Sequence, residues 1–206
     1  MTALPALLTL LPPPPASASA RPAAPGHPAS TWPGTTTINL NATYDTAHGY
    51  PIPWSFTTAG QGRPQVATAL GLIARDSVHT SCIADRGNMG GSGYDGGHLI
   101  AHTLNGVSER FNLVPQRAHV NRGIAERFEH GAESCLRAGT VARYEVRVTH
   151  PPGSGVAPSR FAMRMIVTVG GNRSTIATDF PNADVIPGEQ DLKNRLDDDL
   201  RLAGCT

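Results

Sequence analysis

Lysine is nearly missing from this 206-residue chain: of its 17 basic residues only Lys193 is not arginine. Contacts to phosphate would therefore come from arginine, whose planar fork binds phosphate bidentately, although a GC-rich coding sequence produces the same bias by itself. Net charge is missing too, at +1, so composition neither demands nor excludes a polyanionic partner. Cysteine is sparse. Cys82, Cys135 and Cys205 lie far apart and outside any CxxC spacing, which excludes a zinc ribbon or a thioredoxin-type motif. In an exported protein three cysteines make one disulfide, contributing about 2–5 kcal/mol, and one thiol; the sequence leaves all three pairings open. There is no internal repeat and no apolar run long enough to span a bilayer.

What is present begins with a short apolar run, MTALPALLTLL, then four prolines and an Ala/Ser stretch ending at Ala18-Ser19-Ala20. Residues 1–20 read as a signal peptide, despite lacking an early basic residue, and imply a secreted protein with no membrane segment in its mature form. Residues 21–35, rich in Pro and Ala, read as a disordered linker, being too poor in large apolar side chains to offset the entropy of ordering. One folded domain is expected over 36–206, since the length suits a single substantial core.

Within it, the residues around VATALGLIA predict a buried strand between Gln65 and Arg75, and a second strand ends near Leu99 and Ile100. Asp85 to Gly93 reads as a glycine-rich loop. Ile124, Phe128 and Leu136 recur among charged residues at helical spacing over 121–137, while ARYEVRVTH and SRFAMRMIVTV alternate as an antiparallel pair with one face buried. The tail EQDLKNRLDDDLRLAG predicts a surface helix closing on Gly204.

The informative stretch is DGGHLIAH, Asp95 to His102, followed by NLVPQ from Asn112 and NRG from Asn121, with Glu129 eight residues further on. Each piece is weak alone. Together, and with GRP at Gly62-Arg63-Pro64, they resemble the DNA/RNA non-specific endonucleases, in the branch of secreted bacterial nucleases and type VII secretion nuclease toxins. The resemblance is dense over 63–130. It implies an α+β fold, a ββα-metal (His-Me finger) core on a mainly antiparallel sheet, and hydrolysis of phosphodiesters in DNA and RNA without sequence preference. It also implies a divalent cofactor, Mg2+ or alternatively Mn2+ or another divalent ion, and an immunity protein as partner if the chain is a toxin.

By the same resemblance His98 is the general base, Asn121 the direct metal ligand, Glu129 the carboxylate that holds a metal-bound water, and Asn112 a structural asparagine. Asp95 steadies the loop. Many relatives carry arginine where this chain has Gly96, so a phosphate contact would come from Arg63, Arg86, Arg122 or Arg127, which sequence does not rank. The chemistry suits these residue types. A neutral imidazole can take a proton from water, an effect worth about 10²–10⁴ in rate. Magnesium needs few protein oxygens because it keeps several waters, which accounts for the lack of an aspartate cluster. On a regular helix Asn121 and Glu129 would stand about 12 Å apart along the axis and about 80° around it, so both could not ligate one ion directly.

Plainer readings compete at each position. Glu129 could be a solvated helix residue, Asn112 a turn residue, and Asn121 a helix N-cap. A zinc pair at His98 and His102 lacks a third ligand and a following glutamate, leaving His102 as a loop or core histidine and His119 and His130 as surface residues. The alternative function is a catalytically impaired member that survives as a nucleic-acid-binding or interaction module.

Overall fold

The computed structural model describes residues 36–40, 54–59, 63–74, 82–153 and 155–206; the expected signal peptide (1–20) and linker (21–35) lie outside them. A six-stranded antiparallel sheet runs in the order β1 (Thr36–Leu40), β2 (Trp54–Ala59), β3 (Arg63–Leu70), β6 (Thr140–Thr149), β7 (Arg160–Val169) and β8 (Asn172–Pro181). A separate antiparallel ribbon pairs β4 (Tyr94–His98) with β5 (Leu113–Arg117). The chain then enters a helical stretch: one turn at Ala118–Val120, a π-helical turn at Asn121–Ala125, and α2 (Glu126–Ala138). Strand, strand, helix is the ββα unit, and the fold is α+β.

Alternation makes the sheet. In β6 to β8 the buried apolar side chains alternate, among them Tyr144, Val146, Phe161, Met165, Ile176 and Phe180, with one bulge in β6 between Val141 and Arg143. Onto that face α2 lays Phe128, Gly131, Ala132 and Cys135, one stripe at helical spacing, with the Phe128 and Tyr144 rings 5.7 Å apart. β8 goes beyond the expected pair, although NRSTIATDF alternates as clearly as its neighbours. α3 (Glu189–Leu202) is the expected C-terminal helix, but its Leu196 and Leu200 are buried, and Gly131 leaves the space that Leu200 fills. A disulfide joins Cys135 to Cys205, closing α2 onto the chain end across 70 residues. No helix among the described residues is long and apolar enough to cross a membrane.

Two expectations are corrected. The strand expected to continue to Arg75 ends at Leu70, because Gly71 turns the chain at φ +70°, and it alternates rather than being buried throughout. The stretch expected as a glycine-rich loop holds a helix, α1 (Cys82–Asn88), before the turn. Its glycine serves close packing: a Cβ on Gly87 would lie 2.8 Å from the Gly96 nitrogen, and one on Gly96 would lie 2.0 Å from the Ile83 carbonyl oxygen. Backbone meets backbone there, so α1 is held by β4 and not by a local apolar pattern.

Candidate active site

His98 ends β4, and the chain leaves the ribbon for fourteen residues before returning as β5. That excursion is tied from within by Asn112. Fully buried, its amide accepts from the Ile100 N–H at 2.9 Å and donates to the Ile100 and Val107 carbonyls at 2.9 and 2.8 Å, while the Leu99 N–H donates to its carbonyl oxygen. Each of these backbone groups is buried and would be costly to leave unpaired. Asn112 thus occupies the structural position expected of it, bracing the residues on either side of His98. Gly106 completes the fold-back, since a Cβ there would strike the Ile100 carbonyl at 1.7 Å.

A cleft of about 590 Å3 opens between α1, β4 and the start of the helical stretch, lined by His98, His102, Asp95, Asn121, Arg122, Glu126 and Glu129, with Ile83, Ala84 and Gly87 of α1 on its wall. His98 is half-buried, its Nε2 3.1 Å from the Ser108 hydroxyl and its ring centroid 5.9 Å from that of His102. Asp95, the second residue of β4 and on the same strand as His98, accepts from Asn121 Nδ2 at 3.2 Å and from Arg122 Nε and Nη2 at 3.0 and 2.9 Å. A carboxylate can only accept, so it takes the amide N–H of Asn121 and leaves the amide oxygen to another partner.

Asn121 makes no side-chain cap; Asp95 holds it instead. The eight residues to Glu129 are not a regular helix, because Gly123 departs from helical geometry at φ −125°, ψ −107°. On either side of this kink, Asn121 and Glu129 both line the one cleft. The Glu129 carboxyl is pushed up to about 8, first by burial and then by the like charges of Glu126 and Glu133. Beneath it Tyr144 is fully buried with a hydroxyl that has no hydrogen-bond partner among the described residues; burial and the charge of Glu129 hold its phenol well above the ordinary range.

These oxygens suit a hard divalent ion. Asn121, Asp95, Glu126 and Glu129 bring amide and carboxylate donors to one cleft, the set that Mg2+ or Mn2+ selects over softer metals, and a dication would offset the burial and the like charges that raise Glu129. Among the described residues no three His, Cys, Asp or Glu side chains are grouped to hold a metal, so such an ion would complete its shell from water and substrate.

A family model for DNA/RNA non-specific endonucleases matches residues 40–168. The chain belongs to this family. No curated protein matches it. The matched span runs from the first strand to the end of β7 and contains every residue of the endonuclease's cleft.

Of the four arginines left unranked, only Arg122 lines that cleft. Arg86 is buried and donates to the Leu113 carbonyl, Arg63 donates to Gly153, and Arg127 pairs with Asp197 on α3. Gly96 has no room for any side chain against α1. Sequence reasoning set His102 aside and passed over Ser108, Glu126 and Tyr144. For Ser108 and Tyr144 no local pattern marks the role, whereas the four-residue spacing from His98 marks His102 only as the zinc partner already set aside. His119 and His130 are exposed, His119 Nε2 2.7 Å from Glu189.

Proposed function

We propose that the endonuclease hydrolyses phosphodiester bonds of DNA and RNA with His98 as general base and one magnesium ion bound by Asn121 directly and by Glu129 through water. The observation that carries this reading is the convergence of His98, Asn121 and Glu129 on one cleft through a kinked helix start. His98 stands against the Ser108 hydroxyl, Nε2 to Oγ 3.1 Å, and its neutral imidazole takes the proton of the attacking water. Asp95 acts as a positioning residue, turning the Asn121 amide so that its oxygen faces the ion, and holding Arg122 at the cleft to contact a phosphate oxygen. Bound there, magnesium would supply Lewis-acid stabilisation of phosphorane charge and an acidic water for the leaving 3′ oxygen.

The reading of an exported protein rests on the Cys135–Cys205 bridge, since disulfides persist in oxidising compartments; a toxin role would bring an immunity protein as partner. The deciding experiment digests plasmid DNA and RNA with wild type and His98→Ala, with magnesium and with EDTA. Expected is loss of both substrates by wild type with metal alone, and a drop of about 10²–10⁴ in rate for the variant. A folded wild type that is inert yet retards nucleic acid in a gel would establish the binding-module alternative. An unchanged magnesium requirement in Asn121→Ala would remove that residue as ligand.

A further inference from the structure

The sheet face turned away from α2 has a charge pattern of its own. Arg143 and Arg147 on β6, Arg160 and Arg164 on β7, and Arg173 on β8 all occupy outward register positions and are exposed. Among the described residues two carboxylates share the face: Glu145, largely buried between Arg143 and Arg147, and Asp179, 2.5 Å from Arg160 Nε. Arg164 and Arg173 have no acidic partner among the described residues. Thr68, Thr168 and Thr175 stand between the arginines, and none of the outward positions of β6, β7 and β8 is aromatic.

We propose that this face is a second nucleic-acid contact, binding the phosphodiester backbone of a polymer and so keeping the substrate near an endonuclease that must return to it for each cut. The proposal rests on the nuclease reading above. Charge complementarity selects the occupant: five arginines against two carboxylates, on a chain whose net charge is only +1, concentrate positive charge on one face. Size agrees. Arg173 pairs with Thr168 and Arg160 lies eight residues along β7, a span of about 27 Å, or about eight phosphates of one strand. Arginine and threonine without aromatic side chains contact phosphates and offer no base-stacking platform, so duplex and single strand should bind alike.

The test uses the full chain and the double variant Arg164→Gln/Arg173→Gln, both positions being exposed and outside the cleft. Kinetics on long duplex DNA and on an oligonucleotide of about four residues, too short to span the face, are compared with salt-dependent binding of a labelled duplex in EDTA, measured in a His98→Ala background. Expected are a KM for long DNA raised about tenfold with kcat unchanged, unaltered cleavage of the short substrate, and a binding slope against salt reduced by about two. An unchanged KM and slope would overturn the proposal. If wild type cleaves neither substrate the nuclease reading fails, and the binding slope alone then upholds the face or overturns it.

Discussion

The ribbon β4–β5 and the meander β6–β7–β8 are both antiparallel, yet they are specified in opposite ways. The meander is written in side chains: ten-residue strands, alternate burial, and stacked rings such as Phe161 and Phe180, 5.7 Å apart. The ribbon has five-residue strands, two of whose positions are Gly96 and Gly97 with neighbours where a Cβ would be, and it is braced from outside by asparagines. Asn112 ties the excursion after His98. Asn182 joins ribbon to meander, accepting from the Arg117 N–H at 2.8 Å and donating to the Pro115 and Pro158 carbonyls. A surface built from alternation tolerates exchange of one outward residue; a surface built from backbone contacts and buried amides does not. The endonuclease keeps its chemistry on the intolerant one.

The strongest way to break this contrast is Asn112→Ala, which leaves the Ile100 N–H and the Ile100 and Val107 carbonyls buried without their partner. At about 1–3 kcal/mol for each orphaned group, partly recovered by water, the expected cost is about 4 kcal/mol in denaturant unfolding. On the meander, Thr175→Ala, outward and exposed, should stay within about 0.5 kcal/mol. Next comes Gly96→Arg. Its Cβ meets the Ile83 carbonyl, so α1 must move away from β4. We expect a loss of about 2–3 kcal/mol and lowered activity, where an accommodating α1 would instead give wild-type stability and tighter substrate binding.

This division also decides what could be read from the sequence. β6, β7, α2 and α3 were legible because burial there follows a period of two or of 3.6 residues. His98, Asn112, Asn121 and Glu129 were legible through a motif that resembles a family, and all four stand in or brace one cleft. Illegible were α1, whose seven residues are held by β4 through Gly87 and Gly96, and the kink at Gly123, which lies between Asn121 and Glu129. So was the pairing of Cys135 with Cys205. Each depends on what lies opposite in space, which no local period encodes. Arg122 could not be told from three other arginines until Asp95 was seen to hold it.

A smaller effect sharpens the comparison at the cleft itself. Glu129 has a folded-state pKa raised to about 8 in the absence of metal, so the favourable contribution of its neutral form is complete below the unfolded value near 4.5 and is lost as pH rises through about 8. A dication in the cleft reverses the sign by favouring the charged carboxylate. Magnesium should therefore raise the melting temperature more at about pH 8 than at about pH 6, by a few degrees, and Glu129→Gln should remove most of that difference. An equal magnesium shift at both pH values would place the ion away from Glu129.

The smallest effect lies where β6 leaves the meander. His150 Nε2 sits 2.6 Å from the Pro64 carbonyl, and its pKa is lowered, chiefly by burial and further by the charges of Arg63 and Arg86, against the opposing pull of that hydrogen bond. A histidine held neutral in the fold costs nothing above its unfolded pKa of about 6.5. Below it the unfolded chain takes up a proton that the folded chain refuses, so stability falls as pH drops through the window beneath 6.5 and levels off under the folded value. His150→Gln keeps a donor for Pro64 and removes the titration. The expected result is a flatter stability profile between about pH 6.5 and pH 5 in chemical unfolding, with activity at higher pH unaltered, because His150 lies outside the cleft. A variant profile as steep as wild type would assign that acid sensitivity to groups other than His150.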